Sequence, residues 1–367
     1  VTMDSLTIGS QTYTNAFKLA TDCTVLTLTD NSGDYVSYAG VITYYDNKSL
    51  IMNTRLFNDS SCTNSYVFGF NNISLGISIP SSCEKSLKTI EHVFSELLKF
   101  NCDRSSVFIA LGGGVVGDLT GFVAATYMRG VDYIQIPTTL LAMVDSSIGG
   151  KTGVNLPVGK NLVGAIWQPK AVVIDPDLLS SLPKREVTSA MGEVIKYGAI
   201  LDRDIFDLIS SNLEDLLKLA NPELLTKVIG RCAKLKADVV AEDEREGGKR
   251  RILNFGHTIG HALETNFGFD TLRHGEAIAY GMLAAGKLSI EDGRMKNEDF
   301  ELLEEIIGKL PLPVLPEFDP NDILQIMQRD KKVRGRKIHF VLLEELGKAV
   351  IVDDVAKRSI INAMERL

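Results

Sequence analysis

Three of the chain's five histidines, His257, His261 and His274, fall within 18 residues of one another. In NFGHTIGHALE, Asn254, His257 and His261 stand at i, i+3 and i+7. That spacing is one helix face if a helix already covers Asn254. His274 follows a Gly/Phe/Asp turn and opens a helical run, so it can turn back toward the same face. Upstream, GEVIKYG sets Glu193 and Lys196 at i and i+3 of another helix. Two imidazoles and a carboxylate commonly hold a catalytic zinc with one position left open. The arrangement is not HExxH, because no Glu follows His257. A histidine on an apolar helix is most often packed or solvated, and His92 and His339 are read that way.

A second set of residues suits phosphate chemistry. VFIALGGGVVGD places Gly112, Gly114 and Gly117 in GxGxxG spacing directly after a strand. Glycines let the backbone turn tightly against a pyrophosphate, and the helix that follows offers it free N–H groups. The acidic residue usual about 20 positions on is poorly matched, since Asp132 is only 15 beyond Gly117. A dinucleotide is expected, and the loop by itself does not assign the ordinary Rossmann topology. DSSIGGKTGVNLPVGKN adds Asp145, Lys151, Asn155, Lys160 and Asn161 among four glycines. It reads as a loop able to fold around an anion. GGKTG is not a P-loop, because Asp145 stands where the first Gly is needed.

The elements that must position these residues change character along the chain. Cys23–Thr29 reads as a strand, and residues 31–80 hold only scattered β-prone pieces such as SYVFGF. Leu87, Ile90, Phe94, Leu97 and Leu98 recur at helical spacing within Glu84–Phe100. Ser106–Leu111, Tyr133–Ile136 and Ala171–Ile174 are buried-type strands, each ending in a Gly-rich or polar loop, which argues a mostly parallel α/β layer. Helical patterns then dominate over Phe206–Leu219, Pro222–Val240, Ile259–Glu264, Glu276–Ile290, Phe300–Leu310 and Pro320–Arg329. Lys337–Leu343 and Ala349–Val352 can pair as a hairpin. The expected organisation is an α/β domain over residues 1–178 and a mainly α-helical domain over 179–367. A cleft between them is the default ligand site.

Composition narrows the partners. With 39 Lys and Arg against 47 Asp and Glu, the net charge is −8 and no basic stripe stands out, so neither nucleic acid nor an anionic membrane is expected. Five cysteines without a CxxC pair fit a reducing compartment. VTMDSLTIGS lacks the basic and apolar regions of a signal peptide, and the apolar runs are too short to span a membrane. The expectation is a cytoplasmic protein.

Taken together, GGGVVGD (112–118), RG (129–130), QIPTT (135–139), DSSIGGKTGVN (145–155), GKNLVGA (159–165), EVIKYG (193–198), LNFGHTIGHALE (253–264), HGEAI (274–278) and DKK (330–332) resemble the 3-dehydroquinate synthase family, in family order. The resemblance implies a dehydroquinate synthase-like fold, with an α/β Rossmann-like NAD-binding domain followed by a mainly α-helical metal- and substrate-binding domain, together with NAD, one Zn or Co ion, and usually a homodimer. It implies conversion of 3-deoxy-D-arabino-heptulosonate 7-phosphate to 3-dehydroquinate and phosphate. Position by position, it makes Glu193, His257 and His274 the metal ligands, and His261 a phosphate-side residue that handles protons. Lys151, Asn161 and one of Lys331, Lys332 or Lys337 match phosphate or carboxylate binders. Arg129 matches a residue that reaches the neighbouring subunit's site. Asp145, Lys196, Lys236, Arg250 and Asn254 match residues around the ring hydroxyls and carboxylate. Asp30, Lys85, Gly114, Val115, Val116, Gly117, Asp118, Thr138, Thr139 and Lys160 match the NAD contacts, to which Asp145 and Lys151 also contribute.

The sequence departs from the family pattern at Ser82, where a Glu for the nucleotide ribose is expected, and at Gly192, where Ala is common. Three rival readings stay open at this level. One is a sugar-phosphate cyclase of the inosose or valiolone type. Another is an NAD-dependent polyol dehydrogenase, and the third a non-catalytic nucleotide-binding scaffold.

Overall fold

Alternating faces of three short strands organise the first half of the computed structural model. The model describes the chain apart from residues 1, 9–10, 19–24, 30–34, 40, 45–63, 71–73, 81–84, 269–270, 333–337, 354 and 366, with side chains described from Lys85 onward except at these positions and at 329–332. Asp30, Ser82 and Lys337 therefore lie outside the described residues, as do the side chains of Lys331 and Lys332. The chain divides into two compact units, Val1–Leu182 and Pro183–Leu367.

In the first unit, hairpins β1 (Thr2–Ile8) with β2 (Gln11–Lys18) and β3 (Val25–Thr29) with β4 (Tyr35–Ala39) precede β5 (Val41–Tyr44), β6 (Asn64–Phe70) and β7 (Ser74–Pro80). Helix α1 (Leu87–Lys99) starts where the Ser86 hydroxyl accepts from the Thr89 N–H. β8 (Val107–Gly112), α2 (Gly114–Thr126) and β9 (Asp132–Pro137) follow, then the hairpin β10 (Lys151–Leu156) and β11 (Gly159–Ile166), then β12 (Ala171–Ile174). One sheet runs β5-β12-β9-β8-β6-β7. Its centre, β12, β9 and β8, is parallel, and the strands outside it pair antiparallel.

Successive side chains of these central strands point to opposite faces. Phe108 and Tyr133 therefore pack with Ile90, Val93 and Leu97 of α1 and Leu119 and Val123 of α2. Ile109, Ile134, Ile136 and Val173 form a separate cluster. Each such side chain, fully buried, contributes roughly 1.5–3 kcal/mol.

The Gly-rich stretch after Asp145 is not the loop the sequence suggested. Lys151–Ile166 is mostly an antiparallel hairpin, with Gly153 opposite Gly164. The glycines there permit close strand contact: a Cβ on Gly164 would stand 2.1 Å from the Thr152 carbonyl oxygen.

The second unit is helical: α3 (Lys184–Leu201), α4 (Arg203–Ser211), α5 (Leu213–Lys218), α6 (Pro222–Glu242), α7 (His257–Phe267), α8 (His274–Glu291), α9 (Asn297–Gly308), α10 (Pro320–Lys332) and α11 (Lys357–Met364). The single helix expected over Phe206–Leu219 is two, because Asn212 leaves helical geometry and its N–H bonds the Ile209 carbonyl. The expected terminal hairpin is β13 (His339–Glu345) with β14 (Lys348–Asp353). The core joins α7, α8, α10, α11 and this hairpin through residues such as Leu263, Ala284, Ile323, Phe340 and Ile360. No described helix is long and apolar enough to cross a membrane.

Candidate metal centre and nucleotide-binding turn

Helix α3 is buried from Val187 to Ile200 and carries Glu193 and Lys196 inside the second unit. Two ties hold the start of α8 against it. Arg185 on the first turn of α3 donates to both carboxylate oxygens of Glu276, at 2.8 and 2.9 Å, and Glu276 in turn accepts from the Arg273 N–H at 2.8 Å. The Gly275 N–H donates to the Ser189 hydroxyl at 3.1 Å. The approach is so close that a Cβ on Gly275 would lie 1.7 Å from the Ser189 carbonyl oxygen. Gly192 has the same cause: its Cβ would lie 2.3 Å from the Gly275 oxygen. Ala at 192 does not fit this packing.

His274 is the first residue of α8, and His257 the first of α7. Gly256, at φ +77°, turns the chain into α7. Asn254 therefore ends a separate short turn, Lys249–Asn254, and is not on the helix face with His257 and His261. The correction has a plain cause, since a left-handed residue between them breaks the helical repeat.

The three imidazoles converge, with ring centroids 5.1, 5.4 and 5.5 Å apart and nitrogens within 4.8 Å of one another. Glu193, only 1% exposed, lies beside two of them. Its Oε1 is 3.3 Å from His257 Nε2 and 3.4 Å from His274 Nε2, and Oε2 pairs with the Lys196 ammonium. Neither oxygen has a partner in hydrogen-bonding geometry. A buried carboxylate left so, facing two ring nitrogens, is a donor set directed at a cation. His261 is exposed, one turn along α7 from His257.

Electrostatics agree with that chemistry at Glu193 and His257, whereas at His274 an ion would have to displace a proton. Burial works to raise the Glu193 carboxyl, but Lys196, His257 and His274 together hold it well below the usual range. Burial, reinforced by Lys196, pushes His257 well below its ordinary value, so the ring keeps a lone pair to donate. Burial disfavours charge on His274 too, yet the Glu193 and Glu264 carboxylates outweigh it and push that pKa up to about 9.

Three more predicted residues are buried or tethered in this unit. Lys236 on α6 and Arg250 are buried, Arg250 at 2% exposure, with Nη1 donating to the Glu244 carbonyl at 2.6 Å. Asp243 shapes that turn by accepting from the N–H groups of Gly247, Gly248 and Arg250. Asn254 donates from Nδ2 to Glu246 at 2.9 Å.

In the first unit, Gly113 caps α2 without a side chain, while the Val116 and Gly117 N–H groups donate to its carbonyl at 3.1 Å. A Cβ on Gly114 would come 2.8 Å from the Ser146 hydroxyl, which is buried and has no hydrogen-bond partner. Ser146 and Asp145 lie on a wide π-helical turn, Ala142–Ser146, a distortion frequent at functional sites. A glycine cradle beside an unsatisfied hydroxyl fits a polar ligand such as a dinucleotide phosphate. Val116 and Gly117 are buried in α2, Val115 is exposed, and Thr138 and Thr139 follow β9 half-buried. Lys85, 9% exposed, donates to Asp118 and to Asn161, each at 2.5 Å. Asn161 itself has φ +54° on β11, and its N–H donates to Asn155 Oδ1 at 3.1 Å. Lys151, Lys160 and Arg129 are exposed, and Arg129 has φ +69°.

Two models, described as the N-terminal and C-terminal regions of 3-dehydroquinate synthase, match residues 78–189 and 190–333. The chain belongs to the 3-dehydroquinate synthase family. The 3-dehydroquinate synthase of Prochlorococcus marinus strain AS9601 is 51% identical over 274 residues, covering 74% of this chain and 75% of that protein. That of Nostoc punctiforme is 50% identical over 279 residues, 75% and 77% respectively. Among solved structures, 2-epi-5-epi-valiolone synthase from Streptomyces hygroscopicus subsp. jinggangensis 5008, with NAD+ and Zn2+ bound, superposes with TM-score 0.71 at 29% identity, over 77% of this chain and 79% of that one. A 2-deoxy-scyllo-inosose synthase complexed with carbaglucose-6-phosphate, NAD+ and Co2+ gives TM-score 0.70 at 30% identity, over 77% and 80%. The family's fold is the one seen here, an α/β unit with a parallel-centred sheet and a helical unit.

Sequence reading did not single out Ser146, Glu264, or the Arg185–Glu276 tie. The capping-box pattern R-x-x-E at Arg273–Glu276 carries a signal for the last. Glu264 was masked by its apolar neighbours in HALE.

Proposed function

We propose that the protein is a 3-dehydroquinate synthase, converting 3-deoxy-D-arabino-heptulosonate 7-phosphate to 3-dehydroquinate and inorganic phosphate. The observation that carries the reading is the buried Glu193 carboxylate facing His257 and His274, in a chain half identical to enzymes of that name. Glu193, His257 and His274 would hold the divalent ion, Zn or Co, and the Gly114–Asp118 turn with Thr138, Thr139 and Lys160 would hold NAD. When bound, NAD accepts and returns a hydride at C5 while the metal polarises the C5 oxygen.

The chain's own residues do the rest. Lys151 and Asn161 bind the substrate phosphate, and Lys236, Arg250 and Asn254 fix the ring hydroxyls and carboxylate. A carbonyl at C5 acidifies the C6 proton, so phosphate leaves by β-elimination with His261 handling protons on the phosphate side. Lys196 supplies a fixed positive charge beside the C5 oxygen. After reduction the ring opens, and an intramolecular aldol addition closes the carbocycle. Positioning one substrate through these steps is the larger part of the task.

The reading extends to a homodimer in which Arg129 reaches the neighbouring site. Val158, Leu162 and Ile166 leave the β10–β11 hairpin with an exposed apolar surface, which supports a partner there. Residence in the cytoplasm is part of the same reading.

The test is phosphate release from 3-deoxy-D-arabino-heptulosonate 7-phosphate with NAD+ and Zn2+, followed with a coupled dehydratase. Stoichiometric phosphate and coupled product without net NADH are expected. Glu193→Gln and His257→Ala lose both metal and turnover. Turnover of sedoheptulose 7-phosphate alone would move the protein to the valiolone-forming enzymes, and retained metal with near-normal rates in the variants would refute the ligand assignment.

A further inference from the structure

The His274 ring is held from both ends. Its Nε2 faces Glu193, and its Nδ1 lies 3.4 Å from Oε2 of Glu264. Glu264 is on α7, two turns along from His257, and is 8% exposed. An imidazole Nδ1 set against a carboxylate carries the proton, which leaves the Nε2 lone pair for a metal. His257 has the same arrangement by other means, its Nδ1 lying 3.1 Å from the Phe255 carbonyl oxygen. At His274 the acceptor facing Nδ1 is instead a side chain from another helix, the Glu264 carboxylate.

We propose that Glu264 is a positioning residue of the metal centre, whose carboxylate accepts the His274 Nδ1–H and fixes the tautomer and ring plane that present Nε2. The proposal rests on the reading of Glu193, His257 and His274 as ligands. It also accounts for a carboxylate placed in a core, where an ion is costly unless paired. Such outer carboxylates raise the basicity of the ligand ring, and their loss typically lowers metal affinity about 10–100-fold.

Wild type, Glu264→Gln and Glu264→Leu would be compared by competition with a chromophoric chelator for Zn2+, and by the visible absorption of the Co2+ forms. Ring-nitrogen NMR of the zinc-loaded wild type reads the tautomer directly, whatever the variants do. The expected result is stoichiometric metal in wild type with His274 Nδ1 protonated. Glu264→Leu then binds about 10–100-fold more weakly with a shifted Co2+ band, and Glu264→Gln, which keeps an acceptor but not the charge, falls between. An unprotonated His274 Nδ1 overturns the proposal. So does a folded Glu264→Leu protein with wild-type affinity and an unchanged Co2+ spectrum. A wild type that binds no metal overturns the ligand assignment itself and this proposal with it.

Discussion

Adding one methyl group at Gly275 should dismantle the proposed metal centre from a position that carries no donor of its own. The Cβ of Gly275→Ala would stand 1.7 Å from the Ser189 carbonyl oxygen, whereas ordinary contact starts at 3.4 Å. The obstacle is backbone inside a buried helix, so α8 must retreat by more than an ångström. Overpacking of this kind costs about 1–3 kcal/mol, and loss of the Gly275 N–H bond to Ser189 adds about 1 kcal/mol. The functional effect is larger. His274 is the adjacent residue, and metal–ligand distances tolerate only about 0.2 Å. A misplacement near 1 Å can cost roughly 100-fold in rate. Metal content after gel filtration and coupled phosphate release, measured on protein shown to be folded by circular dichroism, test this. Stoichiometric metal and wild-type turnover in Gly275→Ala would refute the claim that the Ser189–Gly275 contact sets the position of His274.

Asp175 accepts from the Asp177 N–H, and burial pushes its pKa from 3.8 up to about 6. A carboxyl whose folded pKa is raised stabilises the fold below its unfolded pKa and loses that contribution as pH climbs from about 4 to 6. At ~1.4 kcal/mol per pH unit, discounted for partial solvation, Asp175→Asn should be about 1–2 kcal/mol more stable than wild type at pH 7.5 and level with it near pH 4, by urea titration. Lys85→Met removes two hydrogen bonds to Asp118 and Asn161 and should destabilise the first unit by about 2–4 kcal/mol, read by urea denaturation; an unchanged midpoint would show that the pair is solvated. Gly308→Ala meets nothing within 4 Å. In helix α9 it should gain up to about 1 kcal/mol, with turnover unaltered.

Periodicity sufficed where a helix had one apolar face, as in α1 and α6, and where short apolar runs made the parallel centre of the sheet. It failed where backbone geometry overrides side-chain pattern. Lys151–Ile166 looks like a loop because glycines break alternation, yet the same glycines allow its strands to approach. Asn254 matches the His257 and His261 spacing, but the left-handed Gly256 puts it on another element. The ligand candidates were legible as residue types, since three of five histidines cluster. Which of them face Glu193 depends on how α8 meets α3, and that is decided by Gly275, Ser189 and Arg185, which carry no chemistry of their own. Glu264 was invisible for a related reason: its partner is ten residues away, across a turn between two helices.

The Glu193 carboxylate has a consequence for how the second unit is made and lost. Its three proposed donors come from the interior of one helix and the first residues of two others, so they meet only after those helices have docked. Before an ion arrives, the Lys196 ammonium and the two imidazoles are what offset a carboxylate brought into the core. Each ion captured repays folding, by about 2.7 kcal/mol when free metal is a hundred times its dissociation constant. Metal scarcity would therefore shorten the lifetime of the protein as well as slow its chemistry, and newly synthesised chains would compete for ions while still deciding whether to stay folded.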